Sequence, residues 1–489
     1  MDYLDPRKRR RHTILLYLGY VLIGVAVLIA TIVLVYQARG FGIDKKGGVI
    51  QNGLVFISSK PTPATIYLNG NLQGPKTSAR LALPESTYSV RLQRSGYRDW
   101  QRKVAVEGGK VAHYDYPLLI PKSLASTKLA IFDQAPALLS QSPDKRWLIV
   151  ATANDFAHFN VYDLKNPTKA PTSLALPEAV LTAAKANQSW QNPEWADDSQ
   201  HVVLQHVYDD TSEYIELDRQ APEQSINLTQ TLGNTKTTIK LIDRKYDKFY
   251  LYDAAALTLG QASLRNPAVT AVLSGVINFQ SYGNNTILYA TAVGASTGKI
   301  RIELKSGDRL FTVRSLPANS AYLLDLTKYN NTLYVVLGAA SENKVYIYRD
   351  PAGQIGSDVF KSPTPLQVLR VSAPSYVSFS GSAQYIVAEN GPQFSVYDIE
   401  NKRGYNYSAQ QPLDAPQLHA SWMDGDRLTY ISGGQQQIFD YDYQNRQMLG
   451  KADANFKPIF APDYKYSYTV SGTAPNTLLQ TGLLIPSEL

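Results

Sequence analysis

The sequence predicts an all-β protein with a single N-terminal transmembrane helix, a small β-sandwich and a seven- or eight-bladed β-propeller. Three observations predict it: an uncharged run near the N-terminus, short strands separated by turn residues in the next segment, and a strand–turn unit that recurs over the remainder. The 33 tyrosines also favour strands. The predicted divisions are a basic tail (1–12), a transmembrane helix (13–36), a linker (37–52), the sandwich (53–121) and the propeller (122–489).

The run from Thr13 to Tyr36 has no charged side chain. A helix of this length rises roughly 36 Å, enough to cross a hydrocarbon core about 30 Å thick. Tyr17 and Tyr20 near one end and Tyr36 at the other suit the aromatic belts of a bilayer. A cleaved secretory signal is the alternative, but its apolar region spans only roughly 7–15 residues and ends at a small-residue site. We therefore expect a retained anchor.

Charge around this helix predicts its orientation. Five consecutive basic residues, Arg7–Arg11, precede it, and the basic flank of a spanning helix stays in the cytoplasm. We expect a cytoplasmic N-terminus, residues 37–489 outside the cell membrane, and a flexible glycine-rich spacer over 37–52. The first twelve residues hold +3 of the net charge of +7. The +4 on the rest is too diffuse to indicate nucleic-acid binding.

The chain has no cysteine, which excludes disulfide frameworks and thiolate metal sites. An extracytoplasmic domain of this kind must be stabilised by its apolar core, and the length of the chain permits one. The missing cysteines do not by themselves identify the compartment.

Residues 53–121 predict a sandwich of short antiparallel strands. Asn69-Gly70 follows the strand Ala64–Leu68 and is a strong hairpin signal. Tyr97 and Trp100 follow a further strand. They could form an aromatic surface for sugar, but we expect them to fill the core.

The order of features in this segment resembles the PEGA domain, a small β-sandwich of bacterial surface proteins. The matching residues are Gly53–Ser59, Pro63–Gly70, Gly74–Thr77, Leu83-Pro84, Tyr88–Leu92, Gly96-Tyr97, Trp100 and Val104–Gly108. Two loops depart from the family pattern, since Pro61–Ala64 replaces the name-giving tetrapeptide and Ser86-Thr87 replaces a glycine. The resemblance implies surface attachment or protein interaction without catalysis, and it transfers no ligand-binding residue.

From residue 122 onward, one unit recurs, as in propellers. It consists of a turn with Asp or Asn, an apolar strand, a loop, and a strand that ends in Tyr-Asp or a near equivalent. The eight copies begin at Ser142, Trp195, Tyr246, Gly283, Tyr329, Phe379, Trp422 and Phe460. The units resemble the TolB and WD40-like propeller repeats. The acidic and amide residues suit tight turns, the third copy is poor, and Lys128–Phe132 is expected to complete the last blade.

The sequence predicts no catalytic, cofactor-binding or metal-ligating residue. None of the six histidines has metal-ligand spacing, and His201 and His206 are expected to be structural or exposed on opposite faces of one strand. No nucleophile elbow, phosphate-binding loop or zinc-protease motif is present. Asp209, Asp210 and Glu213 could hold calcium, but a solvated loop is the simpler interpretation.

We therefore expect a non-enzymatic, membrane-anchored, extracytoplasmic binding or scaffolding protein of the bacterial cell envelope. Its expected partners are the membrane, which it crosses once, and an envelope protein or cell-wall polysaccharide, and not nucleic acid. The long loops Lys165–Pro193 and Asp350–Pro374 are the first candidates for a partner surface. The alternative is a glycan-active enzyme with its site in the central funnel of the propeller, which requires clustered carboxylates or histidines there.

Overall fold

The computed structural model of the chain describes residues 6–38, 41–43, 48–183, 186–209, 211–233, 236–356, 362–472 and 475–488. The chain divides into two compact units, Met1–Lys122 and Ser123–Leu489. The first unit holds the long helix and a small sandwich, and the second is almost entirely β-sheet.

Helix α1 spans Pro6–Ala38, which is longer than the predicted 13–36 at both ends. Basic residues such as Arg10 and Arg11 extend it, because Arg and Lys form helices readily. The stretch Arg10–Tyr36 has the length and composition of a membrane span. Its apolar side chains are exposed instead of packed, so the helix fits a membrane anchor or a signal sequence.

The sandwich consists of two four-stranded sheets, antiparallel except for one parallel pair, β2–β8. One sheet contains β1 (Phe41–Ile43), β2 (Val49–Ile57), β5 (Ala79–Pro84) and β8 (Val111–Tyr114). The other contains, in spatial order, β4 (Asn71–Lys76), β3 (Thr65–Leu68), β6 (Ser86–Gln93) and β7 (Trp100–Val106).

Two sequence predictions for this unit have different outcomes. Tyr97 and Trp100 are buried in the sandwich, as expected. The predicted spacer over 37–52 is wrong in part, because β1 pairs with the start of β2, with Phe41 opposite Gln51. Backbone pairing on a sheet edge therefore orders part of a glycine-rich segment that has no apolar periodicity of its own; residues 39–40 and 44–47 lie outside the described residues.

The second unit contains eight four-stranded antiparallel sheets, numbered here in chain order. Sheet 1 consists of β10 (Leu138–Gln141), β11 (Trp147–Ala151), β12 (His158–Asp163) and β13 (Thr172–Ala175), and sheet 2 of β14 (Ser189–Trp195), β15 (His201–Tyr208), β16 (Thr211–Asp218) and β17 (Ile226–Asn227). Sheet 3 consists of β18 (Thr238–Ile242), β19 (Lys245–Asp253), β20 (Thr258–Ser263) and β21 (Thr270–Ser274), and sheet 4 of β22 (Val276–Tyr282), β23 (Thr286–Thr291), β24 (Lys299–Ser306) and β25 (Arg309–Pro317).

Sheet 5 consists of β26 (Tyr322–Tyr329), β27 (Thr332–Ala339), β28 (Lys344–Arg349) and β29 (Gln367–Arg370), and sheet 6 of β30 (Tyr376–Phe379), β31 (Tyr385–Glu389), β32 (Gln393–Asp398) and β33 (Arg403–Ser408). Sheet 7 consists of β34 (Ser421–Trp422), β35 (Arg427–Ser432), β36 (Gln435–Asp440) and β37 (Gln447–Lys451), and sheet 8 of β38 (Ile459–Phe460), β39 (Tyr466–Val470), β40 (Asn476–Gly482) and β9 (Ser126–Phe132). Two short helices, α2 (Leu228–Thr231) and α3 (Pro351–Ile355), lie in connections. Each predicted repeat, including the poor third copy, belongs to a different sheet.

The eighth sheet is completed by β9, which precedes the first sheet in the chain and pairs with β40, as the sequence predicted for Lys128–Phe132. Apolar residues of sheets 8 and 1, such as Tyr468 and Leu148, form one buried cluster. On the opposite side of sheet 1, Ile149 packs with residues of sheet 2 such as Val202. Sheet 1 therefore packs against sheet 8 on one side and against sheet 2 on the other, as neighbouring blades of a propeller do.

The recurring Asp residues have the structural role that their turn position predicts. Asp163 at the end of β12 accepts a hydrogen bond from the Lys165 backbone N–H at 3.1 Å and pairs with Arg146 at 2.8 Å. This guanidinium holds the pKa of Asp163 well below its usual range. Asp218 of sheet 2 accepts from Gln200 at 2.9 Å in the equivalent place. These carboxylates therefore fix turns.

Closure by β9 predicts unequal effects of substituting two adjacent residues. Phe132→Ala removes a side chain that is 7% exposed and lies in the shared core of sheets 8 and 1. We expect its loss to lower the free energy of unfolding by about 3–5 kcal/mol. Ile131→Ala is the matched control, since Ile131 is 59% exposed on the same strand. Urea unfolding followed by tryptophan fluorescence measures both, and equal losses would contradict a closing role for β9.

Candidate functional site

A cleft of about 800 Å³ opens between sheets 3 and 4. Four consecutive residues of β21, Ala271–Ser274, form one wall, and parts of β23, β24 and β25 form the floor. The inner parts of the same two sheets are in apolar contact through residues such as Tyr250 and Phe279. The two sheets therefore pack closely near the centre of the unit and separate toward their outer strands.

A β-bulge sets the composition of the floor. The register between β24 and β25 shifts so that Ile302 lies opposite Arg314 and Glu303 lies opposite Thr312. Because one residue of β25 is left over, the Thr312 side chain turns to the face that carries Glu303 and donates a hydrogen bond to its Oε1 at 2.9 Å. The floor of the cleft is polar for this reason.

Arg301 and Glu303 form an ion pair in this floor. They are two residues apart on β24 and so lie on one face, with Arg301 Nε 2.7 Å from Glu303 Oε1. The guanidinium also hydrogen-bonds the Thr312 hydroxyl. Glu303 is buried and Arg301 is partly exposed, so the pair presents hydrogen-bonding groups to the cleft without net charge. Burial raises the pKa of the neighbouring Tyr289, with Glu303 adding to the effect.

Two glycines allow the loop that follows β23 to lie close to the Arg301–Glu303 ion pair. Gly275 has a φ of +69°, and a Cβ there would lie 2.5 Å from Val293 Cγ2. Gly294 has a φ of +70°, and a Cβ there would lie 2.6 Å from Arg301 Nη1. Only glycine combines these backbone angles with such close approach. The loop after β23 is therefore fitted to the guanidinium.

The rim of the cleft is apolar and solvent-exposed. Val293 is 63% exposed and Leu310 is 51% exposed, and both line the cleft. Leu257 and Val269, also in or beside sheet 3, are further large apolar side chains exposed in the same region. Exposed apolar side chains gathered around a concavity are typical of binding surfaces.

One of the two predicted partner loops reaches this cleft. Asp350–Pro374 contains helix α3, whose first turn is capped by the Asp350 side chain accepting from Gly353 N–H at 3.0 Å, and Ile355 of α3 lines the cleft. The same segment contains strand β29, so it is not one long loop, and residues 357–361 lie outside the described residues. The other loop, Lys165–Pro193, contains β13 and the start of β14 and does not line the cleft.

In the predicted acidic cluster, Glu213 is buried, so the expected solvated loop is wrong for this residue. Glu213 points into the protein and accepts hydrogen bonds from Thr182 Oγ1 and Asn227 Nδ2, both at 2.7 Å. His206 Nδ1 lies 3.0 Å from the same carboxylate, and its Nε2 lies 3.0 Å from Gln188 Oε1. Asp209 lies in the turn that follows β15, and Asp210 lies outside the described residues. Glu213 and His206 thus anchor the connection between sheets 1 and 2.

The other predicted histidine is held by different contacts. His201 Nδ1 lies 2.6 Å from Asp198 Oδ2, and its ring stacks on Tyr246 at 4.0 Å. His201 and His206 therefore have separate environments on one strand. Within the described ranges, no group of three or more histidine, aspartate or glutamate side chains has the arrangement of a metal site.

One further pair of titratable groups is less completely satisfied. Glu389 at the end of β31 is fully buried, with Oε1 accepting from Ala420 N–H at 3.0 Å and lying 3.0 Å from His419 Nδ1. Its other oxygen has no hydrogen-bond partner among the described residues. Burial raises the pKa of Glu389, and the His419 ring stacks on Tyr376 at 4.4 Å.

The family comparison identifies the sandwich. Residues 52–120 match the PEGA domain family. The chain contains a PEGA domain. This match covers the two-sheet sandwich and leaves the second unit without a family assignment. No curated protein matches the chain.

Solved structures resemble the chain in fold only. The WD40 domain of SCAP from fission yeast is 9% identical with a TM-score of 0.42, over 74% of this chain and 98% of that chain. The β-propeller domain of Cps50 (Swd1) from Myceliophteria thermophila is 9% identical with a TM-score of 0.38, over 73% and 99%. An oligogalacturonate lyase in complex with manganese is 10% identical with a TM-score of 0.39, over 75% and 99%. At these values the similarities carry no functional argument, and the propeller assignment depends on the sheets themselves.

The fit between Gly294 and Arg301 generates a prediction. Gly294→Ala adds a Cβ against a guanidinium that Glu303 and Thr312 hold in place, whereas Gly298→Ala in the same loop adds one to open space at a φ of +74°. Both should lose about 1 kcal/mol of stability from the left-handed backbone. We expect Gly294→Ala alone to lose about 1 kcal/mol more and to speed amide hydrogen exchange in β24 and β25. Identical behaviour of the two variants would show that the loop does not position Arg301.

Proposed function

We propose that this protein is a membrane-anchored, non-enzymatic scaffold of the bacterial cell envelope whose propeller binds a partner protein at the cleft between sheets 3 and 4. The cleft carries the proposal. It combines a volume suited to protruding side chains, an exposed apolar rim and a buried polar floor that offers hydrogen bonds without net charge.

The membrane anchor is the second part of the proposal. Helix α1 exposes apolar side chains over the length of a bilayer core, and the basic residues Arg10 and Arg11 begin that span. We propose that the helix is retained, with the N-terminus in the cytoplasm and residues 37–489 outside. Anchoring would hold both folded units at the membrane surface and raise their local concentration for a partner there.

Binding, and not catalysis, is proposed because the titratable groups around the sheets serve structural contacts. Glu213, Asp163 and Asp218 are each occupied by several donors from their own turns or neighbouring loops. Glu216 is a buried carboxylate whose pKa burial raises to about 8. The Glu389–His419 pair is another group in which a carboxylate oxygen has no hydrogen-bond partner among the described residues. It provides one buried carboxylate and one histidine, and a glycosidase of the usual kind uses a pair of carboxylates.

The proposed topology can be tested with single cysteines, because the chain has none of its own. Met448→Cys places a thiol at a position that is 57% exposed in the second unit. We expect a membrane-impermeant maleimide to label it in intact cells and to label His12→Cys only after the cells are permeabilised. Labelling of His12→Cys alone in intact cells would reverse the orientation. Release of the Met448→Cys protein from carbonate-washed membranes with a shortened N-terminus would show a cleaved signal.

Partner binding at the cleft can be tested by site-specific photocrosslinking in the native host. A benzophenone amino acid at Leu310 should give a discrete adduct, and the same group at Met448, which is as exposed but distant in the chain, should not. The adduct should be lost when Val293→Asp is added, because a charge in the apolar rim opposes desolvation. An adduct that is unaffected by Val293→Asp, or equal from both positions, would contradict a cleft-directed partner.

A further inference from the structure

The net positive charge of this protein lies in residues 1–122, with +5 on residues 1–47 and the rest on the sandwich. Residues 48–122 contain ten lysines and arginines and four aspartates and glutamates, a net charge of +6. Residues 123–489 contain 30 and 34 of these types, a net charge of −4. The modest total of +7 therefore conceals two units of opposite sign.

Within the sandwich, the charges separate between its two ends. The end next to α1 is marked by Phe41 opposite Gln51 and by Gly109 N–H donating to Asn52 O at 3.0 Å. Among the described residues it carries Glu85, Glu107 and one base, Lys110, which pairs with Glu107. The stretches 39–40 and 44–47, which lie outside the described residues, add Arg39, Asp44, Lys45 and Lys46 to the sequence between α1 and β2. The other nine basic residues of 48–122 lie along the strands or toward the far end, roughly 25 Å away along β2.

One face concentrates this charge. The strand register places Lys76, Arg91 and Lys103 on the outer face of the sheet β4-β3-β6-β7, where no outward position holds an acidic side chain. Arg91 lies over the Tyr67 ring at 4.3 Å and is 3.6 Å from Asp99 at the edge of this face. Beyond the turn between β6 and β7, Lys122 follows, its N–H bonded to Gly96 O at 2.9 Å. We call Lys76, Arg91 and Lys103, together with Lys122 beside the adjacent turn, the basic face.

Three of these side chains have no acidic partner. Lys76, Lys103 and Lys122 are exposed, and within the described residues none of them forms an ion pair. Unpaired ammonium groups on one face attract anions and release counterions when they bind them. Lys76 and Lys103 stand three strand spacings apart, about 14 Å across the sheet, and are also offset by four residues along the strands. A single phosphate or carboxylate cannot bridge them.

We propose that the basic face of the PEGA domain binds a linear polyanion, a polymer with repeated phosphate or carboxylate groups. The span of the face requires a polymer, and the exposed, unpaired ammonium groups complement repeated anionic groups along it. This proposal is independent of partner binding at the cleft.

The test uses the full chain in nanodiscs of zwitterionic lipid. Fluorescence anisotropy would measure binding of labelled inorganic polyphosphate and of labelled polyglutamate between 50 and 300 mM NaCl, a range chosen because counterion release makes affinity fall steeply with salt. We expect the logarithm of the association constant to fall linearly with the logarithm of the salt concentration. For the triple variant Lys76→Gln, Lys103→Gln, Lys122→Gln, we expect at least a tenfold loss of affinity at the lowest salt. In this variant the magnitude of the slope should be smaller by about 2, because each of the three lost contacts contributes roughly 0.7.

A matched control separates the face from net charge. Lys165, Lys169 and Lys451 are exposed lysines of the second unit, and changing all three to Gln alters the total charge by the same amount. This control should bind like the wild type. Binding of polyphosphate alone would support a phosphate polymer, and binding of both would support recognition of charge density.

Three outcomes would overturn the proposal. They are absence of binding to either polymer, equal losses in the two triple variants, and binding that salt does not weaken. Capture of vesicles with anionic lipid, without binding of either soluble polymer, would also overturn it, because the ligand would then be a bilayer surface. Circular dichroism of the triple variant distinguishes loss of binding from loss of fold.

Discussion

The second unit depends on the fact that each of its sheets can bury its faces only against neighbouring sheets. A series of such sheets leaves two uncovered apolar faces unless its first and last members meet. Here β9 completes sheet 8, and Phe132 enters the core shared with sheet 1. A polar contact reinforces the same junction, since Lys145 Nζ donates to the Tyr464 hydroxyl at 2.6 Å; it also reaches sheet 7, where it donates to Met423 O at 2.5 Å. Because strands from distant parts of the sequence are joined here, unfolding of the last sheet would also expose apolar residues of the first sheet and destabilise it.

The cleft is the place where this packing stops. Toward the centre, sheets 3 and 4 exclude water with aromatic and aliphatic side chains such as Phe279 and Leu259. Further out, an ion pair between Arg301 and Glu303 replaces apolar contacts. An ion pair at such a position contributes little stability compared with well-packed apolar residues, because desolvation offsets its Coulomb energy. A polar floor that leaves a cavity open is therefore better explained by binding than by stability.

The sequence allowed the sheets to be predicted better than the cleft. Turn-forming Asp residues and alternating apolar strands recur with a period, so all eight repeats and the closing role of Lys128–Phe132 could be found. The cleft depends on a one-residue register shift at Ile302 and Glu303, and a bulge without a characteristic glycine leaves no trace in a strand pattern. Arg301 and Glu303 also look like ordinary outward residues of a strand, since the sequence does not show that the next sheet stands away from them. The β1 pairing escaped prediction because Phe41–Ile43 is too short to show a period.

The charge of the sandwich was visible in the sequence but hidden by summing over the chain. Its arrangement was not visible, because the register of β3, β4, β6 and β7 decides that Lys76, Arg91 and Lys103 share a face. The two proposed binding surfaces consequently respond to different conditions. Salt should weaken the basic face and leave the neutral, apolar-rimmed cleft nearly unaffected, because screening acts on unpaired exposed charge and not on apolar burial. A rise in ionic strength would therefore distinguish the two proposed contacts, since it would weaken only one of them.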